Sequence, residues 1–207
     1  MSEQVFPTKG NLIKAKIDLA LSKLGYELMD RKRNILIREL MQMVDSANEI
    51  RISIEKTYVD AYDALQAANI TLGVVEKYAK SVPVEDTLNV EYRSVMGVEI
   101  PMISIIEDKP FAPYGFYDSN SQLDKAYMLF TKVKYMTATL AEVENSIYRL
   151  ATAIKKTQKR ANALKNILIP KFEGISKYIT DSLEEKEREE FSRLKVIKKQ
   201  KSSENNS

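Results

Sequence analysis

The residues that break helices are gathered in one part of this chain, and that distribution limits its fold more than any other feature. Of the six Gly and six Pro in 207 residues, Pro83, Pro101, Pro110 and Pro113, with Gly97 and Gly115, fall between positions 83 and 115. Residues 11–82 contain no Pro, and residues 116–207 contain only Pro170. Proline lacks the amide that a helix needs and clashes with the preceding turn, so long tracts without it are free to stay helical. The pattern predicts a mostly α protein: a long antiparallel two-helix coiled coil with a small central β-hairpin or loop lobe. Its parts are an N-terminal helix over 11–79, the lobe over 80–118, a C-terminal helix over 119–200 kinked near Pro170, and a disordered tail over 201–207. The 29% of charged residues suits long exposed helices better than a compact core.

Apolar periodicity supports this division. From Ile17 one stripe runs through Leu21, Leu24, Leu28, Lys32, Leu36, Leu40, Met43, Ala47, Ile50, Ile54, Tyr58, Ala61, Leu65, Ala68, Leu72, Val75 and Ala79. Its steps mostly alternate three and four, the coiled-coil spacing. Two places take four twice, Leu28–Lys32–Leu36 and Ile50–Ile54–Tyr58, and each reads as a stutter that locally unwinds a supercoil. A helix over 11–79 is roughly 100 Å long at about 1.5 Å per residue, so it needs a partner helix along most of its length. The second tract supplies one. Ser121 and Asp124 give a helix start, and Leu140, Val143, Ile147, Leu150, Ile154, Thr157, Ala161, Leu164 and Leu168 alternate strictly, with Phe172, Ile175 and Ile179 beyond Pro170. A connection this short makes the two helices antiparallel, with both termini at one pole and residues 80–118 at the other. For most stripe residues the expected role is packing.

The lobe has a different composition. Val90–Met96 and Val98–Ile106 are rich in β-branched and aromatic residues and flank Gly97, which suits a hairpin with Pro101 on an unpaired edge. Phe111, Tyr114, Phe116 and Tyr117 follow closely. These aromatics either cap the open end of the coil or form a docking surface, for which Met96, Gly97, Ile100, Pro101, Phe111 and Tyr114 are the candidates. Between 58 and 75, Val59, Tyr62, Ala64, Ala67, Ile70 and Val74 are apolar but off the stripe. A two-stranded coil needs one narrow stripe, so this second face predicts a further contact, slightly favouring a separate subunit.

Charge is uneven. From Asn145 to Phe172 there is no acid, but Arg149, Lys155, Lys156, Lys159, Arg160, Lys165 and Lys171 are present, so the rest of a chain whose net charge is +3 is acidic. With Arg31, Lys32 and Arg33 expected alongside, the arrangement is a basic girdle, and a second basic run includes Arg193 and Lys195. Such a girdle suits solvent, phosphates, acidic lipid or acidic protein loops. No helix-turn-helix spacing, RNP-like aromatic run or zinc pattern accompanies it, so nucleic acid is not favoured. There is no G-x-x-x-x-G-K-[ST] loop for a nucleotide.

With no Cys there is no disulfide framework or thiol nucleophile, and with no His the commonest general base and transition-metal ligand are missing. The reading is a non-catalytic chain with no cofactor and no metal. No apolar run approaches the roughly 18–20 residues needed to span a bilayer, and the N-terminus does not have the form of a secretory signal. A soluble cytoplasmic protein without direct membrane insertion is expected.

Three stretches carry a family resemblance. Pro7-Thr-Lys-Gly-Asn-Leu-Ile-Lys-Ala-Lys16 followed by Gly25-Tyr-Glu-Leu-Met-Asp-Arg-Lys-Arg33 resembles the N-terminal helix of the D subunit of V-type and A-type ATPases. Val95-Met-Gly-Val-Glu-Ile-Pro101 is similar to the family's mid-chain signature, and Arg160–Pro170 with Glu187-Arg-Glu-Glu-Phe-Ser-Arg-Leu-Lys195 to its C-terminal helix. The likeness covers nearly the whole chain in order, with Lys9 in place of the usual Arg and Gly10 in place of an often bulkier residue. It implies the central rotor shaft of a rotary ATPase, coupling ATP hydrolysis or synthesis in the catalytic hexamer to ion transport. The implied partners are the catalytic and regulatory subunits of the head, a small rotor companion subunit, and a membrane-side socket subunit. The chain would be peripheral to the membrane through that complex. On this reading Lys9, Lys14, Lys16, Arg31, Arg33, Lys155, Lys156, Lys159, Arg160, Arg193 and Lys195 are candidates for stator contacts. Val59, Tyr62, Ala67, Ile70 and Val74 are candidates for the companion. Two other readings share the architecture: a prefoldin-like coiled-coil chaperone or tether, and a nucleic-acid-binding coil.

Overall fold

The computed structural model describes residues 6–84, 86–105, 113–115, 117 and 119–204. The elements are helix α1 (Lys9–Leu72), short helix α2 (Glu76–Ala79), strands β1 (Leu88–Val95) and β2 (Val98–Ile105), helix α3 (Ser121–Ala163), a π-helical turn (Leu164–Leu168) and helix α4 (Ile169–Glu204). The class is the expected one, mostly α with a two-stranded antiparallel sheet. The chain divides into a terminal unit, Met1–Arg33 with Lys156–Ser207, and a central unit, Asn34–Lys155.

In the terminal unit α1 begins where Thr8 caps it. The Thr8 hydroxyl accepts the Asn11 amide N–H at 3.2 Å, which satisfies one of the first-turn donors. Antiparallel pairing is fixed by contacts spaced along the two arms: Lys9 with Glu187 at 3.3 Å, Lys23 with Glu173 at 2.8 Å, and Arg33 with Gln158 at 2.9 Å. The buried residues here are Ala15, Ser22, Thr157, Ala161 and Ile179. This corrects the stripe read from the sequence. Ile17, Leu21, Leu24 and Leu28 are 60%, 65%, 54% and 54% exposed. The half-buried and buried positions Leu12, Ala15, Leu19, Ser22, Tyr26, Met29 and Arg33 form the packing face instead. Small residues let the two backbones approach closely, and the Ser22 hydroxyl is satisfied locally by donating to the Asp18 carbonyl at 2.7 Å.

Polar seam members also explain both apparent stutters. Counting from Leu12 through Arg33 to Leu36, Leu40, Met43, Ala47, Ile50, Ile54, Thr57, Ala61, Ala64 and Ala68, the steps alternate three and four without a break, and each position is buried or half-buried. Thr57 is buried, donating its hydroxyl to the Ser53 carbonyl at 2.8 Å. Ala64, taken from the sequence as off-stripe, is 5% exposed and belongs to the seam.

The C-terminal arm has one real irregularity. Between Leu164 and Phe172 the stripe takes two steps of four, one residue more than a heptad allows. The π turn absorbs that residue, with the Ile169 amide bonded to the Leu164 carbonyl five residues back. Leu168 is consequently 36% exposed, and Ile169 is half-buried. Pro170 then falls in the first turn of α4, where a missing amide costs little, so the expected disturbance takes the form of this turn.

In the central unit α1 stops at Leu72 rather than 79. Gly73 has φ +75°, the left-handed conformation that closes many helix ends, and α2 is a separate turn. Helix α3 is capped by Asn120, one residue before the Ser121 expected; its side-chain oxygen accepts the Leu123 amide at 3.0 Å. Within this unit the hairpin lies back along the helices instead of beyond their ends, so that Ile100 is buried between Leu36 of α1 and Leu150 of α3, with Val95 and Val98 packed alongside. A second cluster, Ala68, Tyr114 and Leu123 with Leu72, Val75, Tyr78 and Tyr127, covers the end of α1. At the C-terminus α4 extends into the expected tail as far as Glu204, and 205–207 lie outside the described residues.

Candidate interaction surfaces

The hairpin register shows which backbone groups the sheet uses. Met96 and Gly97 have φ 52° and 74°, the pair of positive angles of a type I′ two-residue turn. Val95↔Val98 therefore closes the ladder as a hydrogen-bonded pair, and Arg93↔Ile100 and Glu91↔Met102 repeat it. The intervening residues, Ser94↔Glu99, Tyr92↔Pro101 and Val90↔Ile103, direct their amides and carbonyls outward. Pro101 is tolerated because its missing donor falls on that outer side.

Helix α3 covers the outer edge of β2. Glu142 accepts the Ile103 amide N–H at 2.7 Å, and Arg149 donates to the Glu99 carbonyl at 3.1 Å. The Arg149 guanidinium also lies 5.2 Å from the centre of the Tyr92 ring. Four strand residues span about 13 Å and seven helix residues about 10 Å, so the two anchor points match in spacing. Strand β1 has no such cover; all its residues are exposed except the half-buried Val95.

Of the proposed lobe-docking residues, Ile100 and Pro101 are buried inside the central unit, and so is Tyr114, which donates its hydroxyl to Asp124 at 2.7 Å. Burial, then the bond and the negative charge of Asp124, hold the Tyr114 phenol well above its ordinary pKa. These three side chains stabilise the chain itself and present little to a partner. Met96 and Gly97 at the turn are exposed, while Phe111 lies outside the described residues. A cleft of about 1050 Å³ opens beside Tyr114, lined among others by Leu65, Tyr78, Pro83, Tyr127 and Phe130.

Two apolar faces are left open. On the central unit Val59, Tyr62, Ile70 and Val74 are 61%, 58%, 78% and 82% exposed, and Ala67 is half-buried. Tyr62 stacks on Tyr58 and meets Phe130 edge-on, which fixes its ring while its surface stays exposed. On the terminal unit the open face is the stripe of Ile13, Ile17, Leu21, Leu24 and Leu28. Nothing in the residue-type pattern separated this stripe from a packing seam; only the position of the second arm does so.

Most of the basic candidates, Lys14, Lys16, Lys155, Lys156, Lys159, Arg160 and Lys195, are exposed. Lys9, Arg31 and Arg193 are exposed too, each within reach of a carboxylate: Glu187, Glu27 and Glu189. Arg33 is different: it is half-buried, held by Asp30 at 2.7 Å and by Gln158. Its first task is to join the arms.

Among the described residues no helix is long and apolar enough to cross a membrane. The pattern of long paired arms with a mid-chain hairpin is matched by a family model for the ATP synthase D subunit, over residues 11–199. The chain belongs to the ATP synthase D-subunit family. A V-type ATP synthase D subunit from Thermotoga neapolitana is 44% identical over 196 residues, 94% of this chain and 97% of the relative. An A-type ATP synthase D subunit from Methanopyrus kandleri is 38% identical, covering 95% of this chain and 86% of the relative. One from Methanobrevibacter smithii is 36% identical, covering 93% and 85%. As a member of the family, this chain is a subunit of a V/A-type ATP synthase.

Proposed function

We propose that this chain is the central rotor shaft of the V/A-type complex, coupling ATP turnover in the catalytic head to ion transport by rotating inside it. The observation that carries the reading is the open stripe of Ile13, Ile17, Leu21, Leu24 and Leu28 on a unit that packs its arms through another face. Leucines at this exposure cost solubility in a free chain and favour a protein surface that covers them. The catalytic and regulatory subunits of the head are that surface. Because the stripe is on one side only, the shaft presents a different face to each catalytic site as it turns, and a face that packs better against one state shifts that site's equilibrium. The exposed lysines and arginines meet stator loops through screened contacts that exchange during rotation instead of locking.

The face at Val59, Tyr62, Ile70 and Val74 is the seat of the small companion subunit, and the lobe, through Met96, Gly97 and the segment containing Phe111, is directed to the membrane-side socket. The chain carries no chemistry of its own and is held at the cytoplasmic side of the membrane by the complex. The test is ATP-driven ion pumping in a complex reconstituted with Leu21→Glu and Leu24→Glu together. Loss of pumping, with the free chain as helical as before, is the expected result; unchanged pumping would remove the stripe from the mechanism. In the same assay Lys156→Glu with Arg160→Glu lowers coupled activity, and unchanged coupling would remove those bases from the stator contact.

A further inference from the structure

The rotor reading does not use the free edge of β1. This strand lies on the side of the hairpin away from α3, and it directs the amides and carbonyls of Val90, Tyr92 and Ser94 outward with no partner strand. An exposed edge of this kind is a template for another strand. We propose that it pairs with the same edge of a second copy of the chain, antiparallel about a two-fold axis at Tyr92, to give a four-stranded sheet in the free subunit.

Two independent features select this occupant. The first is register. A two-fold axis through a residue forms a hydrogen-bonded pair only if that residue's backbone groups face outward, and those of Tyr92 do, fixed by the turn at Met96 and Gly97. The second is charge. The axis places Glu91 of each copy opposite Arg93 of the other. These are non-hydrogen-bonded positions, where opposed side chains come closest, so both pairs are of opposite sign. Any other two-fold register along the strand separates these charges. Both residues are exposed and make no ion pair among the described residues. The inference does not rest on the rotor assignment; it concerns the chain before it joins any complex.

Light scattering on the full-length free chain over a wide concentration range tests the idea. The expected result is a species of twice the 23.7 kDa chain mass that dissociates on dilution. Arg93→Glu alone or Glu91→Arg alone weakens the dimer by roughly tenfold or more, since each turns both attractions into repulsions. Combining the two restores it. Val90→Pro abolishes it without harming the hairpin, because Val90 directs its amide outward as Pro101 does. The chain has no native Cys, so single introduced thiols report the register. Tyr92→Cys cross-links under oxidation because the two copies of residue 92 lie about 5.5 Å apart, whereas Leu88→Cys does not. A chain that stays monomeric, or a dimer indifferent to the charge exchange, would overturn the proposal. So would a monomer whose Val90→Pro variant fails to assemble into the ATPase; that result would assign the edge to another subunit.

Discussion

Leu36 and Leu21 lie on the same helix and read alike in the sequence, yet the structure gives them opposite roles. Leu36 is 0% exposed, packed with Ile100 and Leu150. Replacing it with Ala removes apolar contact and leaves a cavity, at a cost of about 3 kcal/mol. Leu21 is 65% exposed. Covering a whole leucine is worth about 2 kcal/mol, so the covered third contributes about 0.7 kcal/mol, and the better helix propensity of Ala offsets about 0.2 of that. Leu21→Ala therefore costs about 0.5 kcal/mol. Urea unfolding of each free variant, followed by far-ultraviolet circular dichroism, measures both midpoints, and hydrogen exchange near each site assigns the loss to its unit. In the assembled complex the ranking narrows, because Leu21 is then covered. The reasoning is wrong if Leu21→Ala in the free chain costs as much as Leu36→Ala, since Leu21 would then be in the seam.

Three further outcomes follow from single sites. Tyr114 is held neutral in the folded chain, its pKa raised by burial and by Asp124, so its stabilising effect is complete below the unfolded phenol value of about 10 and is lost as pH rises through and above it. Thermal melts should show an alkaline loss of stability that Tyr114→Phe reduces. Met96 occupies φ 52°, where a side chain other than Asn or Asp is disfavoured, so Met96→Asn should stabilise the hairpin by about 0.5–1 kcal/mol, read as slower exchange of the β1 and β2 amides. Gly174 lies inside α4 with open space where a Cβ would go, so Gly174→Ala should add about 0.5–1 kcal/mol, while Pro170→Ala, at a first-turn position, should change stability by less than about 1 kcal/mol. A gain of about 3 kcal/mol from Pro170→Ala would mean the proline sits in a helix interior.

The two arms and the hairpin were legible because they depend on strong local signals: the confinement of Pro, the three-and-four spacing from Leu36 onward, and β-branched residues on either side of Gly97. The seam of the first turns was not legible. An apolar count favours Leu21 and Leu24 over Ser22 and Arg33, but the inner face of a close helix pair favours small residues and side chains that find polar partners. Ser22 and Thr57 satisfy their hydroxyls on the preceding turn, so they enter the seam without the penalty that their type suggests. The position of the lobe was hidden for a similar reason. Its fold-back rests on Ile100 reaching Leu36 and on Glu142 and Arg149 meeting backbone groups, and none of these pairings has a signature in spacing. The open face at Val59, Tyr62, Ile70 and Val74 was legible because an apolar residue off a continuous seam has no reason to be covered by its own chain.

The π turn at Leu164–Leu168 bears on how this chain can vary in length. On an α-helix one extra residue turns everything beyond it by about 100°, which would move a seam residue such as Ile179 away from the opposite arm. Here the stripe has one surplus residue, and a single widened turn takes it up before Phe172. Removing one residue from that turn would restore an unbroken heptad, but it would also bring Pro170 into a helix interior, where its missing amide becomes a defect. The surplus residue and the proline therefore persist or disappear together. Single-residue insertions and deletions elsewhere in the paired arms have no turn to absorb them, so length changes should accumulate between the arms, in the lobe and beyond the last paired turn.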